Sequence, residues 1–434
     1  MLITNMLSRY VELCKEALAS YSGAKLNKSI QSNIIEMLLL LMTVARKVNF
    51  TQMGRYGKRC EQCYRQTAER SVDWLAMNSW LVSYAFDGND GRRAIAIDPS
   101  YIKKSGKHTP HAGMFWSGCA GAVKYGLEIL GIGVIDVDRH DCMMLKAVQT
   151  SLEESTKKDE MSLYDWYAKV LEGDKEALQR MAKVLVADSA FSKKPFVDKM
   201  LGLGFHVVSR LRRDAALYYV WDGEPTGKRG RPRVKGERIN LEELDESKVQ
   251  TFAIEGHAGL LYTLNAWCKS LRREISLVIH KLPNGGHRLY FSTDKNMTGR
   301  DVMEFYCTRF QIEFCFRDAK QFVGLTDCQA RDERKLDFAF NSSFTAVNVA
   351  KIMCKEYGLT VGKLKGLMVN AYYAQRFIDV FKNISNTPLN PKIINGMFYL
   401  FVKSNGDYSA KLSFSESSRH FACFEDWVCK FIRS

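Results

Sequence analysis

Ala94-Ile95-Ala96-Ile97-Asp98-Pro99-Ser100 is a short apolar run closed by a carboxylate, and Val184-Leu185-Val186-Ala187-Asp188 repeats the pattern farther along the chain. Both read as buried strands, each with an aspartate at its carboxyl end. In open α/β sheets that edge is where ligands bind. A lone aspartate after a strand is ordinarily a turn former or helix cap; two in equivalent places weaken that reading. Working outward, 117–125 and 127–137 read as strands with a turn near Gly126, 146–183 as a polar helical stretch, and Phe196–Leu203 as a helix stopped by Gly204. Phe205–Ser209 is a further strand. Strands alternating with helices predict an α/β layered fold.

A third acidic residue decides how the two aspartates are read. Thr298-x-x-Asp301 predicts a capped helix start, and Tyr306, Arg309, Glu313 and Lys320 follow. At about 100° per residue these four fall within an arc about 60° wide. Such a stripe is no apolar core face; alone it would be a solvated salt-bridge face, but beside two strand-end aspartates it reads as a site. Three carboxylates from separate elements can hold two Mg²⁺ ions, hard cations that prefer oxygen ligands. Such a metal pair serves in-line displacement at phosphorus, with Mn²⁺ expected to substitute. Arg309 and Lys320 would grip phosphates of the strand being cut, and Tyr306 would position one.

Composition points the same way. The 434 residues carry 63 Lys plus Arg against 48 Asp plus Glu, a net charge of +15, which favours a polyanionic partner. The longest apolar block, 34–45, is interrupted by Glu36 and too short to span a bilayer. With no secretion-signal pattern at the start, the chain is expected to have no membrane partner and to stay in the cytoplasm. Twelve cysteines in such a chain do not make a disulfide framework. Cys60-x-x-Cys63 has no second pair at zinc-site spacing, which leaves packed, reduced thiols as the better reading. Gly223 to Gly227-Lys228 is one residue short of a phosphate-binding loop.

The first ninety residues read as helical. Ile34–Val48 forms one helix and Thr51 caps a short second one through Tyr56. After Gly57, 59–74 carries Arg59, Arg65 and Arg70 on a third. This is the layout of a DNA-binding helix-turn-helix, and equally that of any three-helix bundle.

The spacing Tyr306-(2)-Arg309-(3)-Glu313-(6)-Lys320 resembles the signature of the DDE transposases of bacterial insertion sequences, in the insertion-sequence-four group. Asp188-Ser189-Ala190-Phe191 is similar to that family's second-aspartate motif, Asp98-Pro99-Ser100 to its first, and the likeness covers roughly residues 90 to 345. The resemblance implies a ribonuclease-H-like catalytic core interrupted by a β-rich insertion domain, with helical N- and C-terminal regions. With the helical, helix-turn-helix-like region at 1–90 read above as the DNA-binding unit, the resemblance implies the first part of the core at 91–212, the insertion at 213–296, the catalytic helix at 297–345 and a helical region for oligomerisation at 346–434. It also implies Asp98, Asp188 and Glu313 as catalytic metal ligands, double-stranded DNA as partner (element ends and target), and a homodimer in the DNA complex of a nucleoid-associated bacterial protein.

Within the insertion, 216–221, 250–254, 260–264, 275–280 and 287–291 are candidate strands, with Pro283-Asn284-Gly285-Gly286 as a hairpin turn. Lys228-Arg229-Gly230-Arg231-Pro232-Arg233 resembles an AT-hook, which lays arginines in the minor groove of A·T-rich DNA; its plain alternative is a basic loop touching phosphates. Trp267 either holds a flipped base, as an aromatic does in relatives, or packs. The function implied is cut-and-paste DNA transposition. An inert DNA-binding repressor and a ribonuclease-H-like nuclease without strand transfer stand as alternatives.

Overall fold

The computed structural model describes residues 3–20, 26–86, 91–106, 108–151, 162–223 and 233–385. Five helices come first: α1 (Ile3–Ala19), α2 (Lys28–Thr43), α3 (Phe50–Tyr56), α4 (Glu61–Thr67) and α5 (Trp74–Ala85). Four strands follow, β1 (Arg93–Lys103), β2 (Gly113–Ser117), β3 (Ala122–Asp136) and β4 (Asp141–Gln149), then α6 (Leu163–Gly173), α7 (Lys175–Met181), β5 (Val184–Val186), α8 (Lys194–Gly202) and β6 (His206–Leu211). The next strands are β7 (Leu217–Val220), β8 (Lys235–Arg238), β9 (Gln250–Phe252), β10 (Leu260–Cys268), β11 (Arg273–Lys281) and β12 (His287–Ser292). The chain then runs through α9 (Gly299–Thr308), α10 (Gln311–Phe322), α11 (Glu333–Tyr357) and α12 (Val361–Ser385).

All twelve strands form one mixed sheet, ordered β2-β3-β1-β5-β6-β12-β11-β10-β7-β8, with β4 on β3 and β9 on β10. β1 pairs antiparallel with β3 and parallel with β5; β5 pairs parallel with β6, and β12 joins β6 antiparallel. Ala94, Ile95, Ala96 and Ile97 are all fully buried. Burial of both parities means that both faces of β1 are covered, and indeed α7 and α10 each pack against it.

Several expectations need correction. β1 does not stop at Asp98 but continues to Lys103 against β3. Its pairing with β5 ends at Ala96, so Pro99, with no N–H to give, lies where one side of the strand has no partner. Gly126 is no turn: β3 runs through it, and the reversal sits at Gly118–Gly121, where Gly121 has φ +58°. Gly126 is glycine because a Cβ there would stand 2.6 Å from the Ile102 carbonyl and the Tyr101 ring. The span 146–183 begins as strand: Lys146 belongs to β4, whose apolar Cys142–Leu145 is fully buried.

The N-terminal helices also shift. α2 ends at Thr43 rather than Val48, and α3 is capped by Asn49, whose side chain accepts from the Gln52 N–H at 3.0 Å, not by Thr51. The span 59–74 holds only the seven-residue α4, and Trp74 opens α5 instead, its ring edge-on to Phe338. The strands expected between 216 and 291 lie close to their expected places, and Gly285 at φ +82° turns the β11–β12 hairpin; β8 was not anticipated.

The free edge of β4 is closed by side chains. Asn341 of α11 donates to the Ala147 carbonyl (3.0 Å) and accepts its N–H (2.8 Å). Asn348 does the same to Met144, at 2.7 and 2.9 Å. The two amides stand in for a neighbouring strand, satisfying backbone groups that burial cuts off from water.

Candidate active site

Register alone places the aspartates together. Ala96 pairs with Val186, and Asp98, inside β1, and Asp188, just past β5, each stand two residues farther on, so they lie side by side on adjoining parallel strands. The period of two puts each on the face of the residue two before it. A second register places the helix. Asp98 lies opposite Gly131, and directly opposed residues share a face. A Cβ on Gly131 would meet the Phe316 ring at 2.5 Å, so that face is the one α10 covers. Glu313, one turn before Phe316 on the same side of α10, is thereby brought toward the aspartates.

The stripe of four does not lie on one continuous helix. α9 ends at Thr308 and α10 begins at Gln311, joined by a tight turn in which Arg309 N–H bonds the Tyr306 carbonyl and Glu313 N–H the Phe310 carbonyl. These are three-residue steps of the 3₁₀ kind. The turn keeps the side chains on the cleft: Arg309 donates to Glu313 Oε1 at 3.0 Å, and its other terminal nitrogen lies 3.9 Å from Asp98 Oδ1. Thr298 caps α9 as expected, accepting the Asp301 N–H at 3.1 Å.

Electrostatics agree with this grouping. Asp98 keeps 23% of its side chain open, yet burial pushes its carboxyl up to about 7; Arg309 pulls it down, and the charges of Glu313 and Asp188 add to the rise. Burial works against the charge on Arg309, but Asp98, Tyr306, Glu313 and Asp188 outweigh it and raise its pKa. Burial raises the Tyr306 phenol, with Arg309 and Arg210 pulling down and Asp188 pushing up. Lys320 donates to Ser100 Oγ (2.9 Å) and the Tyr101 carbonyl (3.2 Å), tying α10 to β1 just past Asp98.

The other expected contacts lie elsewhere. Trp267 sits half-buried in β10, opposite Glu274 and Tyr218. Of the basic hook, Lys228, Arg229 and Arg231 lie outside the described residues; Arg233 donates to the Lys235 carbonyl and lies 3.9 Å over the Trp221 ring. Cys60 and Cys63 have sulfurs 3.2 Å apart, and all ten cysteines among the described residues are free thiols. Among the described residues no three His, Cys, Asp or Glu side chains are gathered closely enough to hold a metal ion, and no helix is long and apolar enough to cross a membrane. In the cleft, Arg309 occupies the ground between Asp98 and Glu313.

Sequence reasoning missed Arg210, which acts on Tyr306 from β6, and Ser100 and Tyr101, which hold Lys320. Arg210-Leu211-Arg212-Arg213 directly after an apolar strand was the signal for the first.

No curated protein matches the chain. Residues 169–349 match the family described as transposase DDE domain, a span that takes in Asp188, Tyr306, Arg309, Glu313 and Lys320 and begins after Asp98. Over that span the chain is similar to transposase DDE domains, and its mixed α/β architecture is compatible with such a domain.

Proposed function

We propose that the chain is a DNA transposase of the insertion-sequence-four group, which binds the inverted-repeat ends of its own element, cuts them and joins them to target DNA. The observation that carries this reading is the approach of Asp98 and Glu313 to one arginine, Arg309, with Asp188 close enough to act on it, from two adjoining parallel strands and a helix packed on Gly131. The order β4-β3-β1-β5-β6, three antiparallel strands followed by two parallel ones, supports reading this part of the sheet as a ribonuclease-H-like core. The strands from β7 to β12 are then its insertion. Residues 1–90 are assigned to end recognition in double-stranded DNA, 346–434 to pairing in a homodimer that holds two ends, and the whole to the bacterial cytoplasm.

The donor chemistry suits a hard divalent cation, although the carboxylates stand apart around Arg309 and would have to draw together as the arginine turns to DNA. The donors are carboxylate oxygens, and a carboxyl held near 7 beside two others is relieved by added positive charge. Asp98, Asp188 and Glu313 would hold Mg²⁺ or Mn²⁺, which supplies charge to activate the nucleophile and to neutralise the leaving oxygen. Arg309 offers a planar fork to the phosphate about to be cut. Tyr306 borders the same cleft and positions that phosphate. Lys320 fixes α10 against β1 and so sets the distance between Glu313 and Asp98. Two displacements follow: water releases a 3′-hydroxyl, and that hydroxyl attacks a target phosphodiester.

The test uses a duplex carrying the element's terminal repeat, already cut to expose its 3′-hydroxyl, with target DNA and Mg²⁺. Joined product is expected. Cutting of an intact end without any joining would leave a nuclease, and neither activity would leave an inert DNA-binding protein.

A further inference from the structure

Beside the Asp188 end of the cleft lies a hollow of about 1170 Å³, larger than the roughly 300–1,000 Å³ of a small-molecule site. Ser189 and Ala190, next to Asp188, form part of its wall, with α6, α8, the end of β6 and the segment after it, the β10–β11 turn and β12 supplying the rest. The wall is tied to the catalytic strand end. Ser192 donates to the Arg210 carbonyl at 2.8 Å, and Ser209 to the Asp188 carbonyl at 3.1 Å.

The lining carries Arg210, Arg212, Arg213, Arg272, Arg288 and three lysines against a single carboxylate, Asp214. Among the described residues only one of these cations, Lys194, has an ion-pair partner, Asp198. Such a concentration of like charge repels itself unless a polyanion fills it. Arg272 adds a second, independent sign. Its φ is +54°, a left-handed conformation that glycine adopts freely and that costs free energy for a residue with a Cβ. The chain nevertheless places an exposed arginine there. The lining's one aromatic, Tyr164, carries Lys193 over its ring at 3.7 Å, so the grip is on phosphates rather than on stacked bases.

We infer that this hollow binds a single-stranded run of several nucleotides of DNA, the strand continuing past the cut on the Asp188 side, through its phosphates and without base preference. The inference rests on the proposed function for its substrate. The hollow adjoins the Asp188 side, where a single strand would run on past the cut, and phosphate contacts position a strand without reading it.

The experiment measures fluorescence anisotropy of a labelled short oligothymidylate with the full chain, in chelator, so that no catalysis is needed. Replacing Arg212, Arg213 and Arg288 together with alanine is expected to weaken binding about tenfold or more. It should also flatten the dependence of log K on log salt by about 2, three phosphates at roughly 0.7 each. Arg272→Gly relieves the backbone, so its melting temperature should hold or rise while affinity falls several-fold. Unchanged affinity in both variants overturns the inference, as does a blunt duplex of equal phosphate count competing as well as the oligothymidylate. A protein that binds the oligonucleotide through the hollow yet never cuts DNA would remove the catalytic reading and keep this site. One that cuts while the hollow variants bind normally would do the reverse.

Discussion

Asp98 and Asp188 owe their proximity to a register in which both stand two residues beyond a paired couple, and Gly131 owes its identity to the ring of Phe316. Gly131→Ala puts a methyl group 2.5 Å from that ring and must push α10 off the strand. A loss of about 1–3 kcal/mol is expected from such overpacking, with cleavage falling more than DNA affinity because Glu313 rides on the same helix. Urea unfolding and a cleavage assay check the two halves; full activity would separate Phe316 packing from the site. Arg309→Lys keeps the charge but not the fork, so it is expected to cut poorly while still binding DNA; activity close to the parent's in a single-turnover assay would contradict this. At this scale the nearness of the three carboxylates was legible from local spacing and from apolar runs closed by Asp98 and Asp188, although β1 in fact runs on past Asp98. Gly126 and Gly131 were not, since a glycine's purpose depends on what packs over it from far along the chain.

The elements show where local reading fails. The span 298–320 has a capped start and a strong polar stripe, so it reads as one helix; the structure turns tightly at Arg309 and Phe310 and still keeps the stripe on the cleft. β4 was missed because its apolar run is short and flows into polar residues that suit a helix. Its edge is satisfied from α11, two hundred residues away in sequence. Asn341→Leu keeps a similar volume but orphans the Ala147 N–H and carbonyl. It is expected to cost about 3 kcal/mol, as each buried unpaired group costs 1–3. Chemical denaturation measures this, and a loss near zero would show that the amide is not the edge's substitute strand.

At the scale of the molecule, helices from both ends of the chain pack together: Tyr372 and Arg376 of α12 both donate to the Tyr56 carbonyl of α3. Lys365 lies buried there, donating to the Leu41 carbonyl at 2.7 Å. Burial holds its ammonium down to about 7, with Asp327 working the other way. Between pH 7 and about 10 the unfolded chain keeps this proton and the folded one does not, so stability rises with pH across that window. Lys365→Met is expected to flatten the rise in melting temperature, and an unchanged slope would place the titration elsewhere. None of this was legible beforehand, because burial of one lysine depends on how two distant helical regions meet.

The central claim is that Asp98, Asp188 and Glu313 form one catalytic site. Single-turnover cleavage of an end-labelled terminal-repeat duplex with Mg²⁺ tests it most directly, on the parent and on Asp98→Asn, Asp188→Asn and Glu313→Gln. Residues acting as a unit are strongly non-additive, so each variant is expected to lose about a thousandfold or more, to match the triple variant, and to bind the duplex as the parent does. Substantial Mg²⁺-dependent cleavage by any of the three would contradict the account.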